Sequence, residues 1–185
     1  NSSFVRGDSI REWIPINGKF DLIVACPPAG MKFTKNFFSD YGQIKSFNHF
    51  LFVRGIDSLK PDTGKLIAVM SKSFLSVSGP EKDLRKYLVE SDLLETVISL
   101  PGGLLATSSI PLCIVVINKA KKVPGKVRFI EGKDFVNLTS SGIKKLKDDA
   151  LVSVIKSGLE SDAIRFIPNQ EIKEYDYSID VSRYL

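Results

Sequence analysis

The stretch from Phe20 to Phe33, FDLIVACPPAGMKF, brings an apolar run to an abrupt end at a thiol and two prolines, Cys26-Pro27-Pro28. Leu22 to Ala25, behind Asp21, predict a short strand buried on both faces of a parallel sheet. Pro27 and Pro28 lack backbone donors and fix φ at about −65°, so the chain must leave that strand's carboxyl end as a stiff loop. Open α/β sheets bind ligands at that edge. Cys26 has two readings there. A free cysteine at a strand end is commonly a small buried hydrophobe. A nucleophilic thiol would need a base, and His49 is the one imidazole in the sequence; His49 itself also reads as packed structure near a helix.

Other chemistry-bearing residues reach the same edge or lie after the core. Leu66 to Met70 is a second buried strand, and it delivers Ser71-Lys72-Ser73-Phe74 beside Cys26. Lys72 is either an exposed loop lysine or a phosphate contact. Pro101-Gly102-Gly103-Leu104 reads as a turn that needs positive φ, or as a phosphate cradle. Ala106-Thr107-Ser108-Ser109 is a small polar loop. Lys119, Lys121, Lys122, Lys126, Arg128 and Lys133 cluster after the last core strand, followed by Lys144, Lys145 and Lys147. They form either a solvated surface or a phosphate-contacting ridge.

The elements that must position these residues follow from periodicity. Phe33 to Gly42 reads as a loop. Phe50, Leu51, Val53, Ile56 and Leu59 have the i, i+3, i+4 spacing of a helix from about Phe47 to Leu59, ended by Lys60-Pro61. Gly79-Pro80 opens a helix with Glu81 and Asp83 in its first turn and Leu84, Tyr87 and Leu88 on its apolar face. Leu94–Leu100 and Pro111–Asn118 read as strands joined by the turn and polar loop, the second running antiparallel. Beyond Lys119, an edge-type strand is expected over Lys126–Ile130 and an amphipathic helix over Ile143–Lys156, with Ile143, Leu146, Ala150, Val154 and Leu151 inward. Ala163–Pro168 reads as a last strand. An aromatic and acidic tail follows, with Tyr175, Asp176, Tyr177, Asp180 and Tyr184.

The 185 residues are 43% hydrophobic and 25% charged, enough for one well-formed core of an ordinary soluble chain. No apolar run approaches the ~18 residues of a spanning helix, and no basic-then-apolar leader is present, so no membrane partner is expected. Cys26 and Cys113 sit in strand-like runs, which suits reduced thiols in a cytoplasmic protein. One His and two separated Cys make no zinc motif, so no metal is expected. The net charge of +5 is compatible with a polyanionic partner without requiring one.

Asp21 to Pro28 resembles the segment of adenine N-6 DNA methyltransferases that ends in Asn-Pro-Pro-Phe/Tyr, especially in the modification subunit of type I restriction systems. Three further stretches are similar to that family: Gly64–Phe74 (GKLIAVMSKSF), Leu93–Lys119 (LLETVISLPGGLLATSSIPLCIVVINK) and the closing DYSIDVSRY from Asp176 to Tyr184. The resemblance implies an α/β fold, the C-terminal portion of a Rossmann-like S-adenosylmethionine-dependent methyltransferase sheet with a small α+β extension. It divides the chain into a lead-in (1–19), a partial catalytic domain (20–118) and the extension (119–185), with the tail folded back beside the catalytic domain.

What the resemblance implies for chemistry is specific to positions. Adenine's exocyclic amine is a poor nucleophile, and in the family the motif's Asn oxygen and the next carbonyl accept its two N–H bonds, while the aromatic residue stacks on the flipped base. Cys26, Pro27, Pro28 and Ala29 occupy those positions. A thiol accepts weakly, Ala29 offers no ring, and the Pro27 carbonyl remains, so little or no methyl transfer is expected. Val5 to Ile10 (VRGDSI) resembles the family's donor-side loop, which would place Asp8 near the donor's adenine; Asp8 otherwise reads as the N-cap of a turn over Ile10–Trp13. No G-x-G loop occurs in the sequence, so donor binding by this chain is in doubt. The resemblance further implies DNA contacts from Lys72, Thr107 and Ser108, and specificity and restriction subunits as partners. Where methylation is lost, a noncatalytic DNA- or subunit-binding module derived from that fold is the alternative.

Overall fold

The fold is given by a computed structural model that describes residues 6–7, 17–27, 32–39, 42–105, 108–140 and 142–185. In chain order the first elements are β1 (Leu22–Ala25), β2 (Lys32–Ser39), β3 (Gly42–Ser46), α1 (Phe47–Ser58), β4 (Lys65–Ser71), α2 (Pro80–Glu90), β5 (Leu94–Leu100) and β6 (Leu112–Asn118). They are followed by β7 (Lys126–Glu131), β8 (Val136–Leu138), β9 (Lys144–Leu146), α3 (Asp148–Ser157), β10 (Ile164–Pro168) and α4 (Asn169–Glu174).

Six strands form one mixed sheet in the order β1-β4-β6-β5-β7-β10. β1 runs parallel to β4 and β5 parallel to β7, while β6 is antiparallel to both β4 and β5, as the sequence predicts for that hairpin. Alternation within each strand then separates two cores. Leu66, Ala68 and Met70 of β4, with Cys113, Val115 and Ile117 of β6, pack against Phe52 and Ile56 of α1 and Leu84 and Leu88 of α2. On the opposite face Ile98, Leu100, Leu112 and Ile130 pack with Leu151 of α3. The tail closes the first core: Ile179, Val181 and Tyr184 are buried in it, and the Tyr184 ring lies 4.5 Å from that of Phe129.

Local chemistry explains the helix boundaries. The Ser46 hydroxyl accepts from the His49 backbone N–H at 3.1 Å and caps α1. Gly79 turns at φ 83 before Pro80 starts α2, and Glu81 and Asp83 meet the positive end of that helix.

Five expectations are corrected. β1 is not buried on both faces: its only neighbour in the described sheet is β4, and Leu22 and Val24 are 54% and 66% exposed. Most of the stretch read as a loop, Phe33 to Gly42, belongs instead to the antiparallel pair of β2 and β3, in which Phe37 lies opposite Ile44. The Lys126–Ile130 strand is interior rather than edge, since β10 pairs with it and buries Val127, Phe129 and Ile130. The helix expected over Ile143–Lys156 starts only at Asp148; the residues before it pair as β9 with β8, leaving Ile143 60% exposed and Ala150 on the solvent side. Finally, Cys26 is exposed rather than a buried hydrophobe, because the chain has already left the sheet there.

Candidate functional site

β1 and β4 are adjacent and parallel, with Ala25 opposite Ala68, so Cys26-Pro27 and Ser71-Lys72 leave the sheet at one carboxyl edge. That is the juxtaposition expected from the sequence. Pro28, Ala29, Asp8 and Thr107 lie outside the described residues. The Lys72 backbone N–H donates to the Pro111 carbonyl at 2.9 Å, which ties this edge to the loop carrying Ser108. Ser108 accepts from the Ile110 N–H through its hydroxyl at 3.2 Å. Lys72 and Ser108 are therefore brought to neighbouring loops.

The Lys72 side chain is not idle. Its ammonium lies 3.6 Å from the Asp180 carboxylate of the tail, both groups being about one-third exposed or less. Asp180 also accepts from the Ser182 N–H and hydroxyl. Beneath the loop, the Cys113 thiol points to the Ser71 carbonyl at 3.6 Å. Burial pushes that thiol up to about 12, with Asp180 adding to the rise and Lys72 opposing it. Cys113 is thus an inert packing group.

Gly102-Gly103 form a tight bend with the positive φ that the turn reading expects. A Cβ at Gly102 would sit 2.0 Å from the Ser109 carbonyl oxygen, and Gly103 takes φ 83. The Gly102 carbonyl accepts from Lys144 Nζ at 2.8 Å, so a lysine of the basic cluster belongs to this turn. A cleft of about 690 Å³ opens beside it, lined by Gly102, Gly103, Ser108, Ser109 and Lys144.

The expected ridge of basic residues is partly dismantled. Lys119 donates to the Leu59 carbonyl at 3.1 Å, Lys121 pairs with Asp92, and Lys147 reaches the Asp134 carbonyl at 3.4 Å. Their charges hold loops in place.

One residue that positions the site is missing from the sequence reading. Arg85 of α2 is 1% exposed, its Nε donating to the Tyr177 carbonyl at 2.9 Å and Nη1 to the Phe74 carbonyl at 2.8 Å. Burial lowers its pKa, and Glu81 and Asp176 partly restore it. The Ile179 N–H donates to the Leu75 carbonyl at 2.8 Å, so tail and loop are held together twice. The legible signal was its place three residues before Leu88, on the buried side of α2.

The chain matches the family model described as N-6 DNA Methylase over residues 3–185. It is 30% identical over 137 residues to the HindI methylase subunit of a type I restriction enzyme from Haemophilus influenzae, covering 69% of this chain and 31% of that relative. It is 28% identical over 144 residues to the MpnII methylase subunit from Mycoplasma pneumoniae, covering 74% of this chain and 25% of that one. This chain therefore spans only a minor share of these relatives. The crystal structure of a type I restriction-modification methyltransferase subunit from Streptococcus thermophilus superposes with a TM-score of 0.80 at 23% identity, over 95% of this chain and 40% of that one. That superposition shows the Rossmann-like α/β fold. Among the described residues no helix is long and apolar enough to cross a membrane.

Proposed function

The chain belongs to the N-6 DNA methylase family, and on that premise we propose that it forms the target-base side of a type I adenine methyltransferase subunit. The observation that carries this reading is the common carboxyl edge: Cys26-Pro27 after β1, and Lys72 after the parallel β4. DNA is the partner of that edge. Lys72 meets a phosphate there, and Ser108 borders the DNA strand entering the site, with Thr107 as the further DNA contact that the resemblance implies.

The chemistry allotted to this chain is orientation of the adenine amine. The Pro27 carbonyl accepts one N–H. The exposed Cys26 thiol stands where an amide oxygen would accept the second and is a weak acceptor. Losing one preorganised polar group lowers turnover by roughly two to three orders of magnitude. The absent ring at position 29 removes about 1–3 kcal/mol of base stacking.

S-adenosylmethionine supplies the methyl group in such enzymes. Asp8, which the resemblance places near the donor's adenine, lies outside the described residues. At the carboxyl edge Asp180 Oδ1 is engaged by Lys72, and Glu131 Oε1 accepts from the Ser99 hydroxyl at 2.7 Å, so one oxygen of each carboxylate is already committed. No methyl-transfer step is therefore assigned to this chain's residues alone.

A second reading, a noncatalytic module that docks specificity or restriction subunits, is favoured by the aromatic tail, where Tyr175 is 44% exposed and the Arg183 guanidinium lies 5.2 Å from its ring. The two readings separate in one experiment. Cys26→Asn with Ala29→Phe, in a polypeptide joining this chain to the donor-binding half of a related subunit, should restore tritium transfer to adenine-containing DNA. Unchanged, background-level transfer beside retained co-purification with a specificity subunit would favour the docking module.

A further inference from the structure

Opposite the edge just described, the amino ends of β4, β5 and β7 border a cleft of about 440 Å³. Its walls carry six cations, Lys65, Lys121, Lys122, Lys126, Arg128 and Lys156, against one carboxylate, Glu95. Two of the cations are neutralised locally: Lys65 pairs with Glu95 at 3.1 Å, and Lys121 with Asp92, which also accepts from Asn169. Four are not. Among the described residues Lys122, Lys126 and Lys156 have no carboxylate at ion-pair distance. Arg128 directs three of its five N–H donors to neutral acceptors, the Thr96 hydroxyl at 3.2–3.3 Å and the Ile155 carbonyl at 2.8 Å, and makes no ion pair with Glu95, which nonetheless acts on its charge.

We propose that this cleft binds phosphate groups, with Arg128 as its fixed wall and Lys122, Lys126 and Lys156 as its mobile rim. Arg128 is half-buried, and its guanidinium carbon lies 5.9 Å from the Phe166 ring centroid, so its charge is held in place. Lysine ammonium groups meet phosphate as point charges on flexible stems. One effect opposes them: α3 ends here at Gly158, and its carbonyl end carries about half a negative charge. Four unneutralised cations outweigh it. Val123, Ile155 and Phe166 add apolar wall, which suits a ring attached to the phosphates.

Phosphate of this kind comes from a compact polyphosphate or from the backbone of DNA, and titration calorimetry on the full chain tells the two apart. The probes are pyrophosphate and a short duplex. The variant Lys126→Glu/Lys156→Glu is compared with Lys133→Glu/Lys145→Glu, which changes the charge equally at exposed sites outside the cleft. All four side chains are exposed, so matching melting temperatures check the fold. The cleft variant should lose about tenfold or more in affinity and flatten the duplex salt slope by about two, with the control little changed. Pyrophosphate that displaces the duplex assigns a compact ligand. A duplex held against pyrophosphate yet lost in the cleft variant assigns the DNA backbone. Equal losses in both variants, or no binding of either probe, overturn the proposal.

Discussion

Arg85 Nε donates to the Tyr177 carbonyl at 2.9 Å although the two residues are 92 positions apart. Tyr177 sits at φ 56, a conformation a bulky side chain avoids, so the bond fixes a strained turn of the tail over α2. The Tyr177 hydroxyl donates to Glu90, which raises its pKa to about 12 and anchors the same turn. Replacing Arg85 with Met strands two buried carbonyls, the other being that of Phe74. Urea denaturation should show a loss of roughly 2–4 kcal/mol. A loss below about 1 kcal/mol would mean that water or a neighbour substitutes for the guanidinium.

Lys72 and Asp180 give a prediction of opposite signs. The pair is partly exposed and contributes little stability, about 0–1 kcal/mol. Asp180→Asn keeps an oxygen to accept from Ser182 and releases the Lys72 charge, so duplex affinity at low salt should rise several-fold. Lys72→Ala should lower it. Fluorescence anisotropy with a labelled duplex measures both, and equal affinities in the two variants would remove Lys72 from the DNA face.

The two thiols should differ in reactivity. Cys26 is exposed, while Cys113 is buried and protonated well above neutral pH. Mass spectrometry after iodoacetamide at pH 8 should find Cys26 alkylated and Cys113 intact, and both alkylated in urea.

Cys113 also sets a pH dependence. Its pKa rises from 9.0 in the unfolded reference to about 12 in the fold, so the folded state holds a proton that the unfolded state loses. Stability from this group is complete below about pH 9 and declines as pH climbs toward 12, by at most about 1.4 kcal/mol per pH unit. Tyr177, raised to about 12 by its bond to Glu90, titrates in the same window. The decline in wild type minus that in Cys113→Ala isolates the thiol, and identical declines would contradict its burial.

Tyr184 tests whether the tail is part of the core. It is 3% exposed and donates to the Ser178 carbonyl at 2.6 Å. Tyr184→Phe should cost about 1 kcal/mol in thermal or urea unfolding. Tyr184→Ala should cost roughly 3–5 kcal/mol. A cost near zero for both would place the tail outside the cooperative unit.

Periodicity was sufficient wherever one element buried one face. The strands Leu66–Met70, Leu94–Leu100 and Leu112–Asn118 and the helices at Phe47 and Pro80 all read directly from spacing and caps. Partners were harder to read. Leu22–Ala25 looks buried by composition alone, yet its exposure depends on which strand lies beside it. Lys126–Ile130 has the charge pattern of an edge strand, and only the distant β10 makes it interior. The residues before Asp148 satisfy a helical pattern, but the β8 pairing outcompetes it locally.

The site divides the same way. The common edge of Cys26 and Lys72 follows from two parallel strands and was legible. The claims on Lys72 by Asp180 and on Arg85 by Tyr177 were not, because each joins the loop after β4 or α2 to a tail more than ninety positions along the chain.

The central claim is that this chain carries the base side of the methyltransferase edge and does not bind the methyl donor by itself. Calorimetric titration of the 185-residue chain with S-adenosylmethionine examines it most directly. No saturable heat at millimolar donor is the predicted result. Saturable binding at micromolar donor would contradict it and move the donor site into this chain.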